Sequence, residues 1–213
     1  MKCDKNRMLL YAVTDRMWVG RQTLYEQVES ALKGGVTCVQ LREKELDEGE
    51  FLEEAIRIRR LCREYHVPFI INDNVEIAVK SGADGIHVGQ HDQKALEVRK
   101  QIGEKMILGV SAQTVEQAVE AEREGADYLG VGAVFSTSTK PDASAVSKET
   151  LRAICKSVSV PVVAIGGISK KNMMELSGSG ADGVALVSAI FSADDIEREC
   201  RELRRLSEKM TGV

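Results

Sequence analysis

Gly82-Ala83-Asp84 recurs later in the chain as Gly125-Ala126-Asp127 and Gly180-Ala181-Asp182, and Gly34-Gly35-Val36 occupies the corresponding place near its start. Each copy follows a stretch of helical periodicity and precedes a short apolar run. Glycine can end a helix in the left-handed conformation, and the small residue after it lets the chain turn into a strand. The repeat therefore predicts four places where a helix ends and a strand begins.

The apolar, β-branched runs along the chain predict eight strands. They are Met8–Val13, Val36–Leu41, Val67–Ile71, Gly85–Val88, Met106–Val110, Tyr128–Phe135, Val160–Ile165 and Gly183–Val187. Between them, segments such as Phe51–Tyr65 and Thr114–Glu124 have apolar residues every three or four positions, which predicts amphipathic helices, and Thr114 is a plausible N-cap. Strands that are apolar on both faces are typical of parallel sheets covered by helices.

Eight strands alternating with helices fit either a closed barrel or an open, doubly wound sheet. The glycine repeat precedes the second, fourth, sixth and eighth strands, which indicates a four-fold quasi-repeat. Side-chain layers contributed by alternate strands are characteristic of the barrel, whereas an open sheet has two different edges and gives no reason for this regularity. We therefore expect an α/β protein with one (β/α)8 (TIM) barrel as a single domain, residues 1–213.

Composition excludes several classes of protein. The 213 residues are 43% apolar and 29% charged with only three prolines, which is unlike disordered or fibrous chains. A net charge of −4 and 4% aromatic residues give no sign of a nucleic-acid or membrane partner. Five scattered cysteines without a Cys-x-x-Cys pair, a polar N-terminus without a signal peptide and the lack of any long apolar run predict a cytoplasmic protein.

In barrels of this kind the chemistry lies at the carboxyl ends of the strands, and here those ends are polar. The second strand runs into Gln40-Leu41-Arg42-Glu43-Lys44. In an extended chain Gln40, Arg42 and Lys44 face the barrel mouth, while Leu41 and Glu43 face away. Two cations and an amide at a mouth suit a polyanion attached to a polar ring. The alternative is a solvated strand end with alternating charge.

Two acidic residues follow neighbouring strands. Asn72-Asp73-Asn74 comes after the third strand and Gly89-Gln90-His91-Asp92 after the fourth. Adjacent parallel strands lie about 4.8 Å apart, so carboxylates at two neighbouring ends can share one hard cation such as Mg²⁺. The alternative is that both aspartates are helix N-caps. The three histidines are isolated and predict no zinc site, and His87, inside the fourth strand, is interpreted as a hydrogen-bonded wall residue.

The later strand ends carry small residues suited to binding phosphate. Ser111 follows the fifth strand. After the sixth, Ser136-Thr137-Ser138-Thr139-Lys140 supplies hydroxyl and ammonium donors, although Ser/Thr-rich turns are also common in ordinary loops. Gly166-Gly167 follows the seventh strand and Val187-Ser188 ends the eighth, where this fold recurrently binds phosphate. A diphosphate region and a monophosphate region at one mouth suggest that two phosphorylated molecules are joined with loss of pyrophosphate.

With these residues in this order, the sequence resembles thiamine-phosphate synthases over nearly the whole chain, from Leu10–Asp15 to Gly183–Ile190. The most specific segments are Gln40–Lys44, Asn72-Asp73, Gly85–Gln90 and Thr137–Lys140. The resemblance implies a transferase of thiamine biosynthesis that joins hydroxymethylpyrimidine diphosphate to hydroxyethylthiazole phosphate. The products would be thiamine phosphate and pyrophosphate, with Mg²⁺ as cofactor and a dissociative departure of pyrophosphate.

The resemblance also implies roles for individual residues. Asp73 and Asp92 would bind Mg²⁺, and Arg42, Lys44, Ser111 and Lys140 would be catalytic. The pyrimidine diphosphate would be held by Gln40, Arg42, Lys44, Asn72, Ser111 and Lys140, with Leu41 and Glu43 in the same binding segment. The thiazole phosphate would be held by Thr137, Ser138, Thr139, Gly167, Val187 and Ser188.

Three positions depart from the family pattern, namely Asn74, His91 and Ser136, and none removes an assigned residue. A thiazole tautomerase of the same superfamily is expected to carry a histidine where this chain has Gly132-Ala133-Val134-Phe135. A phosphosugar isomerase or epimerase would leave the charged residues at 42–44 unexplained. A non-catalytic phosphate-ligand sensor would bind without turnover. The expected partners are the two small-molecule substrates, and the sequence is compatible with a homo-oligomer.

Overall fold

The computed structural model of the chain describes residues 3–90, 92–137 and 145–213. Its strands form a closed barrel in which every neighbouring pair is parallel and β8 pairs with β1. The strands are β1 (Leu10–Val13), β2 (Cys38–Leu41), β3 (Phe69–Asn72), β4 (Gly85–Val88), β5 (Ile107–Ala112), β6 (Tyr128–Val131), β7 (Val162–Ile165) and β8 (Gly183–Leu186). The predicted (β/α)8 barrel is confirmed.

Helices surround the barrel. They are α1 (Leu24–Lys33), α2 (Glu48–Glu64), α3 (Val75–Ser81), α4 (Ala95–Ile102), α5 (Val115–Arg123), α6 (Lys148–Ser157), α7 (Ser188–Phe191) and α8 (Ile196–Thr211). A short 3-10 helix, Met173–Leu176, takes the place of an α-helix after β7. No helix in the described ranges is long and apolar enough to cross a membrane.

Capping residues determine where the helices begin. Thr114 is confirmed as an N-cap, since its side chain accepts the Gln117 N–H. Helix α2 begins three residues before the predicted Phe51, because Asp47 caps it by accepting the Glu50 N–H. Apolar periodicity marks the face that packs against the barrel, whereas the first turn of a helix is polar and depends on its cap.

The predicted strand Tyr128–Phe135 was wrong at its end, since β6 stops at Val131. The apolar residues that follow it pack without pairing in the sheet. Val134 donates its N–H to the Ile165 carbonyl at 3.0 Å and Phe135 donates to the Gly166 carbonyl at 3.1 Å, which joins the loop after β6 to the loop after β7. Burial of these residues therefore serves a loop, which an apolar pattern cannot distinguish from a strand.

The glycine repeat has the predicted conformation. A residue of each copy has a positive φ: Gly35 (93°), Gly82 (67°), Gly125 (96°) and Gly180 (91°). Any side chain would be strained at these glycine positions. The side chain that accepts a hydrogen bond therefore belongs to the residue two positions later in each copy. Asp84 accepts the Phe69 N–H at 2.9 Å, Asp127 the Leu108 N–H at 2.8 Å, Asp182 the Val162 N–H at 3.0 Å and Thr37 the Leu10 N–H at 2.8 Å. The repeat thus joins each even strand to the start of the odd strand before it.

The strands separate two apolar layers. One layer lies between strands and helices and includes Leu41, Ile71 and Leu129. The other fills the barrel interior and includes Met8, Tyr11, Cys38, Ile70, Ile107, Tyr128 and Val163. Because side chains alternate along a strand, Gln40 lies on the interior side while its neighbour Leu41 packs towards the helices. The interior layer forms the floor beneath the barrel mouth.

Asp127→Ala should destabilise the barrel more than Asp84→Ala does. Asp127 also binds the guanidinium of Arg99 at 2.6 Å, and the Arg99 side chain is only 10% exposed. Arg99 keeps its hydrogen bonds to the Gly125, Gly103 and Met106 carbonyls in the Asp127 variant. Losing the charged bond to Asp127 should therefore cost about 2 kcal/mol beyond the roughly 1 kcal/mol of one hydrogen bond to a backbone N–H. Urea unfolding of the two variants measures the difference. Equal losses of stability would contradict the assignment of the Arg99 contact as the larger contribution.

Candidate active site

Asp73 lies at the carboxyl end of the β3 strand between two donors. Lys44 Nζ is 2.6 Å from Asp73 Oδ2, and Asn72 Nδ2 donates to Asp73 Oδ1 at 2.7 Å. The Asp73 backbone is left-handed, with φ of 63°, a conformation that costs an L-residue about 1 kcal/mol but that aspartate tolerates better than most. The fold therefore keeps a strained turn that directs this carboxylate towards Lys44.

Asp92, after β4, lies next to Asp73. Burial raises the pKa of Asp73, Lys44 lowers it, and Asp92 raises it further through hydrogen-bond contact and charge repulsion. Asp92 Oδ2 in turn accepts the Gly89 N–H at 2.7 Å. The structure therefore brings together the two carboxylates that the sequence placed at neighbouring strand ends.

Helix capping does not account for either aspartate. Asn74 is the residue that caps α3, by accepting the Ile77 N–H at 2.9 Å, and α4 has Lys94 at its N-cap with no side-chain cap bond. Two facing carboxylates with one nearby ammonium fit a divalent cation, because such a cation relieves their mutual repulsion. Mg²⁺ is commonly held by one or two carboxylates plus water and substrate oxygens, so this pair of donors suits it.

Glu43 orders the loop that carries Lys44. Its Oε1 accepts the Lys44 and Glu45 N–H groups, both at 2.7 Å, and its Oε2 accepts from Arg16 Nε at 2.7 Å. Arg16 also binds Glu54 at 2.6 Å, which ties the loop to α2. Burial alone would raise the pKa of Glu43, but Arg16 and the backbone donors outweigh it and lower that pKa.

A pocket of about 540 Å³ opens beside these residues. Its lining consists of Glu43, Lys44, Leu46, Phe51, Asn72, Asp73, Asn74, Val75 and Gln93. Arg42 lies on the same strand end, with its Nη1 3.3 Å from Asp15 Oδ2 and one third of its side chain exposed. The expected clustering of Lys44, Asn72 and Asp73 is thus present. Leu41 packs in the helix-facing layer, so a contact between its side chain and a ligand remains a prediction.

Gln40 and Ser111 are linked to the barrel interior. Gln40 Nε2 donates to the Tyr11 hydroxyl at 2.8 Å, and Ser111 Oγ lies 3.0 Å from His87 Nε2. His87 is therefore hydrogen-bonded in the barrel wall, as predicted. The sequence analysis missed Tyr11 as part of this group, although a tyrosine in an otherwise aliphatic strand was an available signal.

A second pocket of about 330 Å³ lies between the loops after β6, β7 and β8. Ser136, Thr137, Gly167, Ile168, Ser169, Ser188, Ala189 and Ser192 line it. Gly167 has φ of 64°, and a Cβ there would lie 2.2 Å from the Ser136 carbonyl oxygen, so only glycine allows the two loops to approach this closely. Thr137, Gly167 and Ser188 share one hydroxyl-rich pocket, as the sequence suggested. Ser138, Thr139, Lys140 and His91 lie outside the described residues.

Val187 lies at the junction between the two regions. It is the N-cap of α7 and packs against the apolar layer of the barrel interior. Its side chain therefore contacts the floor of the mouth, while Ser188, the next residue, lines the second pocket. The two pockets together place polar groups from six strand ends at one rim of the barrel.

Comparisons with known proteins agree with this geometry. A sequence model described as thiamine monophosphate synthase matches residues 10–190. The chain is 53% identical over 194 residues to the thiamine-phosphate synthase of Ruminiclostridium cellulolyticum, covering 91% of this chain and 92% of that protein. It is 48% identical over 204 residues to that of Clostridium botulinum, covering 96% of each. The solved thiamine phosphate pyrophosphorylase from Pyrococcus furiosus superposes with a TM-score of 0.89 at 40% identity, covering 97% of this chain and 98% of that one.

Glu43→Gln should destabilise the protein by about 2 kcal/mol at pH 7, since bonds to a buried carboxylate contribute about 1.5–3 kcal/mol. The pKa of Glu43 is lowered in the folded state, so its stabilisation is complete above the ordinary glutamate pKa of about 4.3 and is lost as the pH falls further. Urea unfolding at several pH values should show the difference from the unmodified protein shrinking below that pH.

Glu54→Gln is the matched control, because Glu54 binds the same arginine but burial raises its pKa. A raised carboxyl pKa makes the unmodified protein lose stability relative to this variant as the pH rises, which is the opposite trend. Parallel pH profiles for the two variants would contradict the proposed role of Glu43.

Proposed function

This chain belongs to the thiamine monophosphate synthase family, and we propose that it joins hydroxymethylpyrimidine diphosphate to hydroxyethylthiazole phosphate, giving thiamine phosphate and pyrophosphate. The observation that carries the proposal is the presence of two polar pockets at one barrel mouth, one beside paired carboxylates and a lysine, the other lined by hydroxyls and glycine. The first suits a metal-associated diphosphate and the second a monophosphate. The reaction is a transferase step of thiamine biosynthesis.

The first pocket would take the pyrimidine diphosphate. Arg42 and Lys44 supply positive charge at the rim, and both are partly exposed, so they can contact diphosphate oxygens. Gln40, Asn72 and Ser111 offer amide and hydroxyl groups to the polar ring. Lys140 would complete this set of groups that bind the pyrimidine diphosphate.

The second pocket would take the thiazole phosphate. Thr137 and Ser188 present hydroxyls, Gly167 presents backbone without a side chain, and Ser138 and Thr139 extend the same loop in the proposal. Fixing the phosphate in one place and the diphosphate in another holds the thiazole nitrogen opposite the pyrimidine methylene. With such positioning, the entropy that two free reactants would lose on meeting is lost when they bind and does not add to the barrier of the chemical step.

The reaction breaks the bond between the methylene carbon and the diphosphate oxygen, and the electron pair leaves with pyrophosphate. The electron-rich aminopyrimidine stabilises the resulting positive carbon. The lone pair of the thiazole nitrogen then forms the new carbon–nitrogen bond, so no proton has to be removed by a strong base. Arg42 and Lys44 would neutralise charge growing on the leaving oxygens, which is where preorganised groups lower a barrier most effectively.

Asp73 and Asp92 would hold Mg²⁺. When bound, this ion would neutralise the departing pyrophosphate as a Lewis acid. Lys44, which contacts Asp73, would lie beside the same oxygens. We place the reaction in the cytoplasm and in a single-domain barrel of residues 1–213, and all five cysteines, being free, agree with a reducing compartment.

The competing functions explain fewer of these features. A thiazole tautomerase needs an acid–base group in the segment after β6, where the sequence is Gly132-Ala133-Val134-Phe135. A sensor without turnover would not need the facing carboxylates of Asp73 and Asp92. The direct experiment mixes both phosphorylated precursors with the purified protein and Mg²⁺ and measures thiamine phosphate and pyrophosphate. Equal amounts of the two products are expected, and binding of both precursors without product would contradict the proposal.

Asp73→Ala and Asp92→Ala should each lower turnover by about a hundredfold or more, because losing one preorganised charged group at a reacting centre typically costs that much. Binding of the thiazole phosphate should change little, since the second pocket contains neither aspartate. Steady-state kinetics and calorimetry measure the two quantities separately.

Asp194→Ala provides the control, since that carboxylate is 99% exposed. It should leave both quantities unchanged. Near-normal turnover in Mg²⁺-free buffer, or a loss of thiazole phosphate binding as large as the loss of turnover, would contradict the assignment of Asp73 and Asp92.

A further inference from the structure

A continuous row of hydrogen bonds crosses the barrel interior beneath the mouth. Gln40 Nε2 donates to the Tyr11 hydroxyl at 2.8 Å, and the Tyr11 and Tyr128 hydroxyls lie 2.8 Å apart. The Tyr128 hydroxyl is 3.0 Å from His87 Nδ1, and His87 Nε2 is 3.0 Å from Ser111 Oγ. The row therefore connects Gln40 on β2 with Ser111 on β5 through three interior side chains.

One direction gives each tyrosine hydroxyl in this row both a donor and an acceptor. A tyrosine hydroxyl has a single proton and can also accept, so in this direction Tyr11 accepts from Gln40 and donates to Tyr128. Tyr128 then donates to His87 Nδ1, which makes that nitrogen an acceptor. The remaining imidazole proton lies on Nε2 and is donated to Ser111 Oγ. This leaves the Ser111 hydroxyl proton and the Gln40 amide oxygen for a ligand at the barrel mouth, since both residues lie near the carboxyl ends of their strands.

Both tyrosines are kept neutral, as the direction of the row requires. Tyr11 and Tyr128 are almost fully buried, and burial raises the pKa of each well above its ordinary value. A buried polar group without a partner is costly, so the hydroxyls depend on each other and on Gln40 and His87.

Two glycines make room for the row. A Cβ at Gly109 would lie 2.2 Å from Cζ of Tyr128, and a Cβ at Gly130 would lie 3.0 Å from Cε1 of His87. The Tyr11 and Tyr128 rings are 5.9 Å apart between centroids, and the His87 and Tyr128 rings are 5.5 Å apart. The rings are thus held by packing as well as by hydrogen bonds.

We propose that Tyr11 and Tyr128 are positioning residues for the substrate's ring: Tyr128, through His87, directs the Ser111 hydroxyl as a donor at the barrel mouth, and Tyr11 directs the Gln40 amide oxygen as an acceptor there. A ring with a nitrogen acceptor and an amino donor, as in an aminopyrimidine, complements this pair. The inference about the ligand rests on the proposed function, whereas the direction of the hydrogen-bond row does not.

The tautomer of His87 reports the direction of hydrogen-bond donation along the row, and it can be measured without substrate. Protein labelled with ¹⁵N at histidine is measured by long-range ¹H–¹⁵N correlation at about pH 8, where an ordinary histidine with a pKa of about 6.5 is neutral. The chain has three histidines, and the His87 signals are identified by their loss in His87→Asn. The expected result is a proton on Nε2 and none on Nδ1. A proton on Nδ1, or on both nitrogens, would overturn the proposal.

Tyr128→Phe and Tyr11→Phe should then differ in their effect on the His87 tautomer. Tyr128→Phe removes the donor to Nδ1, so the Nδ1–H tautomer should become well populated, and kcat/KM for the pyrimidine diphosphate should fall roughly tenfold, the equivalent of one hydrogen bond. Tyr11→Phe leaves the bond from Tyr128 to His87 in place. It should therefore keep the Nε2–H tautomer while raising KM for the pyrimidine diphosphate. KM for the thiazole phosphate should stay within about twofold in both.

Tyr25→Phe and Tyr65→Phe are the matched controls, because Tyr25 lies on α1 and Tyr65 at the end of α2, outside the barrel. Neither should change the tautomer or the kinetics. An unchanged tautomer in Tyr128→Phe, or equal losses for both substrates, would overturn the proposal. If the protein makes no thiamine phosphate, the proposed function fails while the histidine signals still decide the direction of the row.

Discussion

Closure of the barrel is the constraint on which the site depends. Because all eight strands are parallel and β8 pairs with β1, every strand ends at the same rim. Residues far apart in sequence, such as Lys44, Asp73 and Ser188, therefore share one mouth. The side chains of Asp84, Asp127 and Asp182 secure the opposite rim by accepting N–H groups from the first or second residue of the preceding strands. One rim is thus fixed by repeated bonds, and the other is left to loops that differ in chemistry.

The charged residues at the mouth form two groups that differ in how far they are exposed. Glu43 and Arg16 are largely buried and satisfy each other and the backbone, so they hold a loop in shape. Lys44 and Arg42 are more exposed, and their side chains pair with the aspartates Asp73 and Asp15. Charges that are already satisfied by the protein serve structure, whereas partly exposed charges can exchange a carboxylate partner for a ligand's oxygens. This difference separates the residues that support the site from those proposed to bind the diphosphate.

Much of this arrangement could be predicted from sequence, but not all of it. The glycine repeat predicted the barrel because it precedes every second strand. It could be recognised in the sequence because few residues other than glycine adopt a left-handed conformation at the end of a helix. Asp73 and Asp92 could be placed together because parallel neighbours end side by side. The end of β6 could not be placed, since Val134 and Phe135 are buried in a loop. Nor could the row through Tyr11 and Tyr128, which depends on hydroxyls meeting across the barrel, a contact that no local pattern encodes.

The proposed metal site requires that the carboxylates after β3 and β4 hold a divalent ion beside the diphosphate pocket. Anomalous diffraction from crystals soaked with Mn²⁺ and pyrophosphate tests it most directly, because Mn²⁺ takes the oxygen ligands of Mg²⁺ and scatters strongly. We expect an anomalous peak between the carboxylates of Asp73 and Asp92, with pyrophosphate oxygens contacting both the ion and Lys44. Pyrophosphate bound with its ion at another place on the barrel, or those two carboxylates turned away from the bound anion, would contradict it.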